Sequence, residues 1–249
     1  MNRQTRRYKV QLAVIGSGLA GFAASVFALE RGIHCAQVGN TGAIAYTTGY
    51  FDLLGSHQHR LLNDPWAGLD RLLSSEPDHP LSRIAKAEIR TAFDRFTQTL
   101  TEMGISYTRA GDRNLFALTP AGTLKPTLSV PMTMQSGIAA RERGAKVLIA
   151  DFWGLQGFSA NEFVANGKAS WPQLSATRLA FPDMESGAQV FPEVMARALE
   201  VPVNRERLAE RLSAVLGDAE SIGMPAIMGI HKPDHVHAEL ERLVGVPLF

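Results

Sequence analysis

The chain has 249 residues, 45% of them hydrophobic and 20% charged, with a formal net charge of +1. That length is ample for a core in one large or two small domains, and the balanced charge removes the electrostatic case for nucleic acid or an acidic membrane surface. A lone cysteine, Cys35, excludes an internal disulfide, and no apolar run approaches the ~20 residues that span a bilayer, so a cytoplasmic protein without a direct membrane span is expected.

The opening MNRQTRRYKV is basic. The apolar stretch behind it is broken by GSG and has a strand pattern, so it reads as a short tail and not a signal peptide. Residues 10–15, VQLAVI, form a predicted strand. Residues 18–31 carry Leu19, Phe22, Ala23, Val26 and Phe27 at helical spacing, and Gly32 suits the helix end. IHCAQV is the second strand, which completes a βαβ unit. Residues 40–55, NTGAIAYTTGYFDLLG, lack a period and read as loop. Helices are predicted around 64–75 and 81–103, the second ending at Gly104.

Residues 105–135 alternate short β-like runs with turn residues, which predicts a small, mostly antiparallel sheet. AKVLIADF is a buried strand; SANEFVANGKAS is a helix opened by Ser159 with Glu162 completing a capping box; QLSATRLAF alternates as a strand. Helices follow over 187–199 and 203–215, the second capped by Asn204. SIGMPAIMGI is a final strand and turn, and PDHVHAELERLV a final helix with Pro233 near its start. The chain stops at GVPLF, an apolar run resembling the start of another strand, which leads us to expect a domain that continues elsewhere or a truncated chain.

Gly16, Gly18 and Gly21 form G-x-G-x-x-G directly after a strand and directly before a helix. Gly16 permits the tight turn, Gly18 lets a pyrophosphate approach the backbone, and Gly21 lets the helix pack on the strand. The helix N-terminus offers free N–H groups and positive dipole. With Ser17, Leu19 and Ala20 between them, these residues are the candidate cofactor turn. Glycines serving packing alone, and the glycine turn of methyltransferases, are the competing readings. The acid that binds ribose hydroxyls normally lies about 20 positions on. Here the strand ends Val38-Gly39-Asn40, and after Glu30 the next acid is Asp52. Asn40 offers a ribose hydrogen bond without the charge. A mononucleotide such as FMN needs no such acid, so FMN is favoured over FAD.

VIGSGLAGFAA, TTGYFDLLG, AGTLKPTLSVP, GLQGFSANEFVA and MPAIMGI, in this order over nearly the whole chain, resemble the B-subunit family of anaerobic glycerol-3-phosphate dehydrogenases. The resemblance implies a flavoprotein with an α/β, Rossmann-like FAD/NAD(P)-binding βαβ unit and an inserted α+β domain. The expected division is 8–104 as the N-terminal part of the flavin domain, 105–185 as the inserted β-rich substrate-side region, and 186–249 as an incomplete return segment. It also implies two partners, the catalytic flavoprotein (the A component) and an iron–sulfur, membrane-associated protein (the C component). The implied reaction is oxidation of glycerol 3-phosphate to dihydroxyacetone phosphate with electrons passed to quinone. Location would be cytoplasmic, peripheral to the inner membrane through a partner. The family continues past the point where this chain stops, so little activity alone is expected.

Related flavoproteins wrap the ribityl and phosphate groups after the second strand, where Thr47, Thr48 and Gly49 stand here; an ordinary turn is the alternative. Asp52 is expected to cap the next segment. His231, His235 and His237 lack a cysteine and are split by Pro233, so no metal is expected. Arg109, Lys125 and Arg178 are either cations for a phosphate-bearing substrate or surface charge. Cys35 is expected to be a buried structural thiol. No side chain stands in a general-base setting, so catalytic residues stay unassigned, which leaves open a flavin electron-relay or scaffold role, or a fragment without flavin.

Overall fold

The computed structural model describes residues 7–40, 48–184 and 188–249. The chain divides into two units, Met1–Gly49 and Tyr50–Phe249.

In the first unit, β1 (Leu12–Ile15), α1 (Leu19–Glu30) and β2 (Cys35–Val38) form the expected βαβ. The strands pair in parallel, Leu12 opposite Cys35 and Ile15 opposite Val38. α1 is built from small and apolar residues without proline, and Ser25 and Ala28 are its buried positions. It ends where Gly32 takes φ +68. There Gly32 N–H donates to Leu29 O (2.9 Å) and Ile33 N–H to Ala28 O (2.9 Å), a Schellman closure that only a residue tolerant of left-handed backbone allows easily.

The second unit opens with a hairpin of β3 (Ser56–His57) and β4 (Arg60–Leu61), turned by Gln58 and His59 at φ 48 and 62. α2 (Pro65–Ser75) follows Asp64, whose carboxylate accepts from Trp66 and Ala67 N–H, both at 2.9 Å. The single helix expected over 81–103 is split. A 3-10 turn covers Pro80–Arg83, Ile84 is extended at φ −124, and α3 (Lys86–Glu102) starts afresh. The restart is fixed by Glu88, whose carboxylate accepts from Ala85 N–H at 3.0 Å. β5 (Leu115–Leu118) and β6 (Leu124–Thr127) pair antiparallel, with bridges Phe51–Ser129 and Tyr107–Pro131 beside them. This is the small antiparallel sheet that alternation predicted.

α4 (Gln135–Glu142) leads into a strand and helix alternation: β7 (Val147–Phe152), α5 (Ala160–Gly167), β8 (Leu174–Leu179), α6 (Pro192–Leu199), α7 (Pro202–Val215), β9 (Ser221–Gly223) and α8 (Pro233–Val244). The strands form one parallel sheet in the order β8-β7-β9, extended by a parallel bridge from Ile222 to Leu248. Central β7 is buried at every residue, as a parallel strand covered on both faces requires. Leu148, Ala150 and Phe152 pack with Leu199, Leu208, Leu212 and Leu240. Val147 and Ile149 face Phe163, Trp171 and Phe249. Residues from 105–185 and from 186–249 thus share this sheet.

Two helix starts differ from the sequence expectation. α6 begins at Pro192, not near 187, and α7 begins at Pro202 after Val201. A proline at the first helical position needs no donor and brings its φ preset. Asn204 therefore lies inside the helix, and its amide donates to Ala198 O at 2.9 Å and does not cap.

Candidate functional site

The glycine turn is held by three contacts. Gly16, at φ +121, donates its N–H to Val38 O at 2.8 Å. A Cβ on Gly21 would stand 2.3 Å from Gly16 O, so only glycine lets α1 approach the turn. Gln37, in the middle of β2, donates its amide to Gly16 O at 2.8 Å, and its carbonyl accepts from Ser25 Oγ at 3.0 Å. Sequence reading passes over Gln37; the signal is a polar residue inside an otherwise apolar strand.

Gly18 is the N-cap of α1, at φ −80 and ψ 177, with no side-chain cap and no acid in the first turn. Phe22 N–H returns to Gly18 O at 3.1 Å, which leaves the earlier amides as the free donors of the helix end. A Cβ at Gly18 would meet nothing within 4 Å, so the space over the turn is open. Ser17 Oγ is buried without a hydrogen-bond partner among the described residues. Open space, uncapped amides and an orphan hydroxyl together suit a phosphate or pyrophosphate.

Gly39, where the ribose acid is missing, has a packing explanation. A Cβ there would lie 2.7 Å from both Ser17 N and Ser17 Oγ. Any side chain at 39 would drive into the turn, so the close approach of β2 and the turn accounts for the missing acid. Gly16, Ser17, Gly18, Gly21 and Gly39 are thus brought together, Leu19 and Ala20 lie exposed in the first turn, and Asn40 is exposed beyond β2. Thr47 lies outside the described residues; Thr48 is exposed and Gly49 takes φ +71.

The remaining candidates sort by their partners. Asp52 pairs with Lys125 at 2.7 Å in place of the expected cap. Arg178 pairs with the buried Asp151 at 2.6 Å, and the hydrogen bond and charge of that carboxylate hold the guanidinium in its protonated form. Arg109 is exposed. His237 Nε2 contacts Leu248 O at 2.8 Å, and His231 N–H donates to Glu200. Among the described residues no group of three His, Cys, Asp or Glu side chains is placed to hold a metal. Cys35 is half-buried, with its thiol directed at Ser25 O at 3.9 Å. Burial pushes Tyr107, stacked on Phe51, up to about 12, so it stays protonated at neutral pH. A cleft of about 590 Å³ is lined by Ser106, Thr133, Ser136, Asp234, His237 and Glu241. Its carboxylates already accept backbone N–H groups, Asp234 from Ser106 and Glu241 from Leu248. Among the described residues no helix is long and apolar enough to cross a membrane.

The family described as FAD binding domain matches residues 11–249. The B subunit of anaerobic glycerol-3-phosphate dehydrogenase from Pectobacterium carotovorum is 29% identical, over 97% of this chain and 59% of that protein. The protein of the same name from Yersinia pseudotuberculosis is 29% identical, over 96% and 58%. A protein named as the probable B subunit of the same enzyme in Halobacterium salinarum is 26% identical, over 96% and 57%. The chain thus spans less than two thirds of the length of these relatives. No solved structure matches.

Proposed function

Because the chain belongs to the FAD binding domain family, we propose that it holds FAD as part of a flavin-dependent oxidoreductase of the glycerol-3-phosphate dehydrogenase type, as one subunit of several. The observation that carries this reading is the turn from Gly16 to Gly21, with its uncapped helix end and open space over Gly18. In this reading the first-turn N–H groups and Ser17 Oγ take the pyrophosphate, Asn40 takes a ribose hydroxyl, and Thr48 and Gly49 lie along the ribityl side. FAD replaces the FMN expected from the missing acid for two reasons: packing at Gly39 accounts for that absence, and the matching family is described by FAD. The flavin, when bound, supplies the two-electron acceptor.

The names of the relatives support the substrate and the assembly. We assign oxidation of glycerol 3-phosphate to dihydroxyacetone phosphate, with electrons passed to quinone, inside a complex with a catalytic flavoprotein and an iron–sulfur, membrane-associated protein. The substrate-side surface is assigned to the 105–185 region, inserted between 8–104 and 186–249, and the location is the cytoplasmic side of the inner membrane. An electron-relay role is the second reading, favoured by one observation: no His, Glu or Arg of the sequence stands in a general-base setting.

The test is an absorbance spectrum of the purified protein with chromatography of the released cofactor. FAD is expected. Gly18→Val places a branched side chain where the phosphate approaches and should remove the flavin while thermal unfolding stays matched. Equal flavin in both proteins, or tight NAD without flavin, ends the reading.

A further inference from the structure

Asp151 and Arg178 stand opposite each other near the carboxyl end of the parallel β7–β8 pair. Asp151 is 1% exposed. Its Oδ1 accepts from Arg178 Nε at 2.6 Å, and its Oδ2 accepts from Nη2 at 2.9 Å and from Ala160 N–H, at the start of α5, at 3.0 Å. The carboxylate is therefore fully engaged within the fold. The guanidinium is not. It offers one fork along Nε and Nη2, which faces Asp151, and another along Nη1 and Nη2. That second fork has no partner among the described residues, and the side chain is 38% exposed.

Trp153 follows β7 directly, and its N–H donates to Leu179 O at 2.9 Å. Its ring lies 5.2 Å from the Arg178 guanidinium carbon. It is 52% exposed, whereas Trp66 and Trp171 are 6% and 2% exposed. An uncovered indole beside a half-exposed, fixed guanidinium sits at the carboxyl edge of a parallel sheet, where such sheets present ligands. Arg211 reaches the same edge, donating to Ala180 O at 2.7 Å.

We propose that the outer fork of Arg178 and the face of Trp153 form a recognition position for a small oxyanion on a short carbon stem, a phosphate monoester or a carboxylate. The fork matches two oxygens of one group, and the indole covers the stem. Asp151 neutralises long-range attraction but fixes the plane of the fork, so recognition is short-range and geometric. This deepens the dehydrogenase reading and rests on it only for the name of the substrate, whose phosphate end would lie here.

Trp153 emission reports binding directly, without turnover or flavin. The purified protein is titrated with glycerol 3-phosphate, inorganic phosphate, acetate and glycerol at constant ionic strength, with Trp153→Phe as the signal control. A saturable change with an oxyanion and none with glycerol is expected. Arg178→Lys keeps the charge beside Asp151 but loses the fork, and should weaken binding roughly tenfold with matched thermal unfolding. Trp153→Leu, read by calorimetry, should weaken glycerol 3-phosphate more than inorganic phosphate. Tightest binding of glycerol 3-phosphate assigns the position to a phosphate ester; tightest binding of acetate assigns it to a carboxylate. No saturable change, an equal response to glycerol, or parental affinity in Arg178→Lys overturns the inference. Anion binding in a protein that takes no flavin would sink the dehydrogenase reading alone.

Discussion

In the crossover from β1 to β2 the helix begins at Gly18 with no side-chain cap. In the crossover from β7 to β8 the helix begins at Ser159, whose Oγ accepts from Glu162 N–H at 3.3 Å, while Asp151 accepts from Ala160 N–H at 3.0 Å. Both connections join parallel strands. One leaves its helix end without a side-chain partner; the other fills it with a carboxylate and a hydroxyl of its own. The topology alone therefore does not mark a cofactor site. What separates the two crossovers is the state of the first-turn amides and the glycines that keep side chains away from them.

Three substitutions probe that difference. Asp151→Ala removes the internal anion of the second crossover and leaves both Ala160 N–H and the inner fork of Arg178 unpaired. We expect a loss of about 3 kcal/mol in chemical denaturation, below the full cost of orphaning a buried charge because Arg178 is partly solvated. Flavin content per folded molecule should not change; if it falls with stability, the two crossovers are not independent. Gly21→Ala acts on the first crossover. Its Cβ would meet Gly16 O, so a loss of about 2 kcal/mol from forced displacement is expected, together with loss of flavin. An alanine variant with parental stability and cofactor would show that the turn relaxes freely. Ser159→Ala should cost about 1 kcal/mol, the usual worth of an N-cap, and spare the cofactor. A null result there would mean that Asp151 alone satisfies the second helix end.

The glycine turn, the two helix ends at Gly32 and Gly104, and the antiparallel run around 115–127 are legible in the sequence because each depends on residues close along the chain. The parallel sheet is legible only as separate strands. Its order, β8-β7-β9, places the last strand beside the first, and no local pattern encodes that neighbour. The Asp151–Arg178 pair is hidden for the same reason, since the partners face each other only once β7 and β8 are in register. Asn204 misleads because a good capping residue lies beside a proline that starts helices more decisively. Gly39 is visible as a missing acid, but its cause, the approach of Ser17, is a tertiary distance.

Gln37 gives the turn a direction. Gly16 O can only accept, so the amide nitrogen must face it, and the amide oxygen is left for Ser25 Oγ. Turned end for end, the amide would set oxygen against oxygen. The loop under the proposed phosphate site is thus braced from beneath by a contact within the fold. A cofactor arriving there finds its amides already aligned and gives up little binding energy to ordering the loop. Affinity at this turn is consequently open to adjustment from the buried side of β2, by a residue that never touches the molecule it helps to hold.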